Sequence, residues 1–181
     1  MKNSEDINLI ALFRQDPEKT FRGILDAYQD RIFNLCAYML NSREDAQDAA
    51  QDVFVKAYRS FKNFTPQASL YTWLYRIAVN TCIDYKRKSR GHLMDDEASI
   101  TEIASPAPSP EKVYASKEIT GLIREALELL TPEFRAIIVL KEIEDLSYEE
   151  VAEVLRISLG TVKSRISRAR EALRKSLCNR L

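Results

Sequence analysis

The sequence predicts an all-α protein: two small helical domains joined by a flexible, proline-rich linker, with a helix-turn-helix in the C-terminal domain. Three observations carry that expectation. Apolar residues recur at spacings of three and four along most of the chain, and no alternating β-branched run bounded by hairpin turns interrupts them. That periodicity fails between Ser89 and Ser116, where Ser105–Pro110 reads S-P-A-P-S-P; each proline lacks an N–H donor and restricts its predecessor, so no helix propagates there. Beyond this gap a capped short helix is followed within a few residues by a basic amphipathic one. The corresponding boundaries are 1–91, 92–117 and 118–181.

In the first domain, Phe21, Ile24, Leu25, Tyr28, Ile32, Leu35 and Met39 form one helical stripe. A second helix begins near Ser42, with Glu44 and Asp45 in a first turn where the helix dipole favours anions. Its apolar face is Ala46, Ala49, Ala50, Val53, Phe54, Ala57 and Phe61, while Asp45, Asp48 and Asp52 line another. A third helix, Tyr71 to about Lys88, is expected to bury Leu74, Ile77, Ala78 and Trp73. It ends on Lys86, Arg87 and Lys88, cations suited to a helix C-terminus.

The second domain opens with a helix near Ile119. In T-P-E-F, Thr131 caps and Pro132 takes the first helical position. S-Y-E-E, Ser147–Glu150, has the reciprocal capping-box pattern, flanked by Leu146 and Val151 as a hydrophobic staple. That helix is expected to bury Tyr148, Val151, Ala152 and Leu155, after which Arg156–Ser158 lead into a helix with apolar positions Val162, Ile166, Ala169 and Leu173. The pair forms a helix-turn-helix pattern over about 148–167.

Composition excludes several function classes. The chain has 181 residues, 45% hydrophobic and 30% charged, with four glycines and one histidine. Phosphate-cradling loops need glycine, and most acid–base and metal chemistry uses histidine. No G-x-x-x-x-G-K, H-E-x-x-H or G-x-S-x-G is present, and His92 lies in a polar stretch beside Arg90 and Gly91, as a solvated loop residue does. The sequence therefore offers no catalytic residue, metal site or cofactor, and reads as a non-enzyme. Cys36, Cys82 and Cys178 are scattered, odd in number and without paired ligand spacing, as free thiols in a reducing compartment are. Met1–Asp6 is polar and acidic and no apolar run approaches bilayer length, so a cytoplasmic protein without membrane insertion is expected.

The formal net charge of zero conceals a dipolar C-terminal region. Ser158–Leu181 carries seven cations and one anion, a local charge of +6, whereas Lys141–Leu155 carries one cation and six acids, a local charge of −5. A polyanion meets the local patch. Around the buried positions of the last helix, Thr161, Lys163, Ser164, Arg165, Ser167 and Arg168 occupy the remaining faces. In a DNA major groove, Arg and Lys pair with guanine edges or phosphates, and Ser and Thr bond to either. A basic amphipathic helix also suits a membrane surface or a partner helix.

These residues carry a family resemblance. L-S-Y-E-E-V-A-E-V-L followed by G-T-V-K-S-R-I-S-R-A-R-E-A-L resembles region four of bacterial sigma-70-family factors of the extracytoplasmic-function (ECF, group four) type, the σE-like subfamily in particular. D-A-A-Q-D-V-F-V-K-A-Y-R-S-F, Asp48–Phe61, is similar to the core-polymerase-binding part of region two. Y-T-W-L-Y-R-I-A-V-N-T-C-I-D-Y-K-R-K, Tyr71–Lys88, is similar to its promoter-melting part.

The resemblance implies a dissociable initiation subunit that directs core RNA polymerase to specific promoters and helps open the duplex. It implies that Asp45, Asp48, Gln51, Asp52, Phe54 and Tyr58 serve the β′ clamp helices, and that the β flap is a second polymerase contact. Asn63, Phe64, Tyr71, Tyr75, Arg76 and Asn80 then face the minus-ten element, with Lys86, Arg87 and Lys88 on phosphates. Lys163, Ser164, Ser167 and Arg168 match positions that read the minus-thirty-five element, with Thr161 and Arg165 on phosphate. Two departures stand out: Arg156 where many relatives have Gly, and Lys163 where Arg is frequent. The resemblance further implies sequestration by an anti-sigma factor. A free-standing helix-turn-helix regulator is the competing reading, and a protein-binding helical adaptor a third.

Overall fold

The computed structural model describes residues 9, 11–64, 69–92 and 121–178, and all regular structure among them is helical. The Ser105–Pro110 linker lies outside the described residues, as does the predicted helix start near Ile119.

Helix α1, Pro17–Leu40, starts where Asp16 accepts a hydrogen bond from the Lys19 N–H at 3.0 Å and Pro17 supplies the first helical residue. It stops at Asn41, whose φ of 60° places it in the left-handed region that asparagine tolerates. Ser42 then caps α2, Arg43–Ser60, as the sequence predicts, accepting from the Asp45 N–H at 3.2 Å. A single 3-10 turn, Phe61–Asn63, follows. Helix α3, Leu70–His92, begins behind Ser69, whose hydroxyl accepts from the Thr72 N–H. These three helices pack on one another through Ile32, Leu35, Cys36 and Met39 of α1, Ala46, Ala49, Val53 and Ala57 of α2, and Leu74, Ala78 and Cys82 of α3. A smaller cluster of Ile24, Phe61, Phe64 and Leu70, with Trp73 against it, closes the other end.

In the second block, α4 comprises residues 121–128. Helix α5, Pro132–Ile138, has the predicted Thr131 cap and continues into a wider π turn, Val139–Ile143. Helix α6, Tyr148–Leu155, has both halves of the predicted capping box. Its buried residues are Val151 and Val154; Tyr148, Ala152 and Leu155, expected inside, are half-buried. Helix α7, Leu159–Cys178, buries Val162, Ile166 and Ala169 against α5 and α6.

The two blocks do not stand apart. Buried side chains from both form one continuous core, and α6 packs against α3. Arg135 of α5 is 3% exposed; its Nη1 donates to the Met39 carbonyl at the end of α1 at 2.7 Å, and its Nε to the Leu127 carbonyl at 2.8 Å. At the rim, Asn41 donates to Glu128 at 2.8 Å. Helical periodicity within each block cannot encode this seam, because it shows which faces are apolar and not which face meets which.

Candidate nucleic-acid interface

The cations of α7 fall into two groups. Toward its C-terminal half each has an acidic partner: Arg170 donates through Nε and Nη2 to Glu142 Oε1 at 3.1 and 2.7 Å. Arg174 donates to both oxygens of Glu171, and Lys175 lies 3.7 Å from the same carboxylate. The bond to Glu142 raises the Arg170 pKa, and the bond from Arg174 lowers that of Glu171. In the N-terminal half, Lys163, Arg165 and Arg168 have no acidic partner among the described residues. Lys163, Ser164, Ser167 and Arg168 are exposed, and Thr161 and Arg165 half-buried.

Local hydrogen bonds fix this presenting surface. Ser158 caps α7: its hydroxyl accepts from the Thr161 N–H at 3.1 Å and shares a 2.8 Å bond with the Thr161 hydroxyl. Ser164 donates its hydroxyl proton to the Thr161 carbonyl at 3.0 Å, which leaves it acceptor capacity toward a ligand. The turn into α7 passes through Arg156 at φ 53°, ψ 46°, the left-handed conformation where glycine would be unstrained.

On α3 the sequence-assigned residues divide differently. Asn80, Arg87 and Lys88 are exposed and Lys86 is half-buried. Phe64, expected to face the minus-ten element, is 5% exposed and packed among Phe61 and Trp73 with ring centroids 5.6 and 5.2 Å away, so it belongs to the small apolar cluster. The side chain of Asn63, and residues 65–68, lie outside the described set. Tyr71 and Tyr75 stack with ring centroids 4.1 Å apart, and the Arg31 guanidinium lies 5.6 Å above the Tyr71 ring. Tyr75, expected to face DNA, is wholly buried, and its hydroxyl donates to Glu144 Oε2 of the second block. Its burial has a plain cause: α3 is covered on one side by α1 and α2 and on another by α6. Arg76 is half-buried, with Nη2 donating to the Glu153 carbonyl at 3.0 Å and Nε buried without a partner. Burial lowers the Arg76 pKa, and nearby Arg156 lowers it further.

The third surface is acidic. Asp45, Asp48, Gln51 and Asp52 are exposed on α2, and Phe54 is buried beneath them. Tyr58 is 42% exposed, edge-on to Phe21 at 5.1 Å. Tyr85 of α3 donates to Asp52 Oδ2 at 3.0 Å, and burial together with that bond pushes its pKa up to about 12. Sequence reasoning missed Val55, which is 47% exposed on the same face. The signal was available: Val55 falls outside the Ala46, Ala49, Ala50, Val53, Phe54, Ala57 stripe and lies within a helical turn of Gln51 and Tyr58. No group of His, Cys, Asp or Glu among the described residues could hold a metal ion.

Comparison with known proteins finds two family regions in this chain. Residues 24–92 match Sigma-70 region 2, and residues 120–173 match Sigma-70, region 4. The ECF RNA polymerase sigma factor SigW of Bacillus subtilis (strain 168) is 39% identical over 172 residues, covering 91% of this chain and 92% of its own. The ECF RNA polymerase sigma-E factor of Escherichia coli (strain K12) is 34% identical over 173 residues, covering 91% and 90%. Among solved structures, the sigma factor RpoE of Bartonella quintana, in complex with the anti-sigma factor NepR, superposes with a TM-score of 0.70 at 27% identity, covering 88% of this chain and 97% of that one. Two family regions in chain order, over most of its length, place this chain in the sigma-70 family, in the ECF group of RNA polymerase sigma factors.

Proposed function

We propose that this sigma factor binds core polymerase through the acidic α2 face, reads the minus-thirty-five element with the N-terminal half of α7, and captures the opened minus-ten strand along α3. The observation that carries the DNA assignment is the partition of cations on α7: Arg170 pairs with Glu142, and Arg174 and Lys175 share Glu171, whereas Lys163, Arg165 and Arg168 have no acidic partner among the described residues. Lys163 and Arg168, with Ser164 and Ser167, read base edges; Thr161 and Arg165 hold phosphate. On α3, Asn80 can donate and accept toward an extruded base, and Tyr71 offers a stacking face. Arg87 and Lys88, with Lys86, hold the backbone.

On α2, Asp45, Asp48, Gln51 and Asp52 meet the β′ clamp helices, with Val55 and Tyr58 as the apolar part of that contact. The β flap is the polymerase contact of the second block. The protein acts as a non-enzymatic initiation factor in the cytoplasm; no helix among the described residues is long and apolar enough to cross a membrane. Because the Bartonella quintana relative is solved with an anti-sigma factor, a partner of that class is proposed here too.

Holoenzyme binding to a selected promoter tests the assignments. Lys163→Ala and Arg168→Ala should each weaken binding, by about 1–3 kcal/mol and with relaxed base preference where the residue reads a base. Arg165→Ala should weaken all sequences alike and reduce the salt slope by about one. Unchanged affinity and preference in the Lys163→Ala, Arg168→Ala double variant would refute the reading.

A further inference from the structure

We propose that Leu159, the first residue of α7, is a further specificity-determining residue: it meets the C5 methyl of a thymine beside the base that Lys163 contacts, and Gly160 lets the backbone come close enough for it to do so. The proposal rests on the assignment of α7 to the minus-thirty-five element and extends that reading surface by one turn toward the start of the helix. The readers assigned above are all polar. Lys163, Ser164, Ser167 and Arg168 can bond the donors and acceptors of base edges, but the thymine methyl offers them no hydrogen bond and is recognised by apolar contact.

Among the described residues of α7, Leu159 is the one large apolar side chain that is exposed, at 36%; Val162 and Ile166 are buried and Leu173 half-buried. A lone exposed leucine is ordinary on a protein surface, so exposure alone does not set it apart. Its place does. The second helix of a helix-turn-helix presents its first residues to base edges, and Leu159 stands four residues before Lys163, hence beside it on the helix surface. The Ser158 cap, accepting from the Thr161 N–H at 3.1 Å, fixes the course of the chain through Leu159 and Gly160. Gly160 adds an independent observation. Its φ is not positive, and a Cβ placed on it would meet only the Ser158 hydroxyl oxygen, at 3.9 Å, an ordinary contact. Nothing among the described residues therefore requires glycine at this position, although glycine weakens a helix relative to alanine. Open space over a bare backbone step suits close approach to an external ligand, and it brings the neighbouring leucine within reach of the groove.

Deoxyuridine in place of thymine deletes the methyl and keeps every hydrogen-bonding group. Holoenzyme reconstituted from core and the full chain is bound to a selected promoter duplex in which each thymine of the minus-thirty-five element, on either strand, is replaced in turn. Burying one methyl-sized group is worth about fourfold in affinity, so wild type should lose about that factor at one thymine. Leu159→Ala should bind the thymine duplex about fourfold more weakly and show no further penalty at that position, whereas Leu159→Met, which keeps an apolar end, should behave as wild type. Gly160→Ala should raise the urea midpoint yet weaken promoter binding, opposite effects that a purely structural role would not produce. A methyl penalty equal in wild type and Leu159→Ala at every position overturns the proposal, as do no penalty at any position, a selected element without thymine on either strand, and Gly160→Ala holoenzyme that binds as wild type does. It is overturned too if Leu159→Ala lowers affinity for core polymerase and leaves the thymine contact unchanged, since the side chain then serves a protein partner. The minus-thirty-five assignment itself fails separately, on the Lys163→Ala, Arg168→Ala double variant.

Discussion

Arg156 shows how one residue connects chain geometry to function. It ends α6 at φ 53° and is near Arg76 across the seam. A non-glycine residue in this conformation costs about 1 kcal/mol, so Arg156→Gly should stabilise the protein by about that amount, read as a higher urea midpoint at unchanged slope. A lower midpoint would mean that the arginine side chain contributes packing the conformation alone does not show. Tyr85 gives a pH-dependent case. Its pKa is pushed from 10.0 up to about 12 by burial and by donation to Asp52. A tyrosine pKa raised by folding gives stability that is fully present below its unfolded value and is lost as pH climbs through the folded one. Wild type should therefore lead Tyr85→Phe in stability at neutral pH and lose that lead between about pH 10 and about pH 12. Parallel pH profiles for the two proteins would count against the Asp52 bond.

At the scale of elements, legibility followed locality. The Ser42 cap, the Thr131–Pro132 start and the Ser147–Glu150 capping box are made by residues within three positions of each other, and all three stand where the sequence places them. Their consequences are equally local. Ser147→Ala removes the side chain that accepts from the Glu150 N–H and should destabilise by about 1 kcal/mol, measurable by thermal or urea melting. A neutral result would show α6 to be held by packing alone. What depended on a distant partner was not legible. Val154 replaces Leu155 in the core because α6 packs on both α3 and α7, and Tyr75 is buried because α6 covers α3. The π turn Val139–Ile143 has no sequence signature that helical periodicity would reveal. Candidate site residues could be named from the sequence because the family motifs are contiguous stretches. Their state could not, because Tyr75 and Phe64 meet their partners only in the folded chain.

The molecule as a whole behaves as two helical blocks sharing one core, with Arg135 spanning them. Arg135→Met would leave the Met39 and Leu127 carbonyls short of a buried donor, so a loss of about 3 kcal/mol is expected in chemical denaturation. A loss below about 1 kcal/mol, the range of an exposed contact, would indicate that the seam adds little to stability. At this scale the charge pattern also finds its purpose. Arg170 ties α7 to Glu142, Arg174 and Lys175 pair with Glu171 of the same helix, and Lys163, Arg165 and Arg168 have no acidic partner among the described residues, as a helix proposed to meet an external anion requires. The proposed assignment requires polymerase to place that helix and α3 on two promoter elements at once. The most direct measurement is permanganate reactivity of minus-ten thymines on a selected promoter. Purified core with this protein should render them reactive, and core alone or the protein alone should not. Thymines that stay unreactive with the reconstituted holoenzyme, while a known sigma factor opens its own promoter in parallel, would contradict the account.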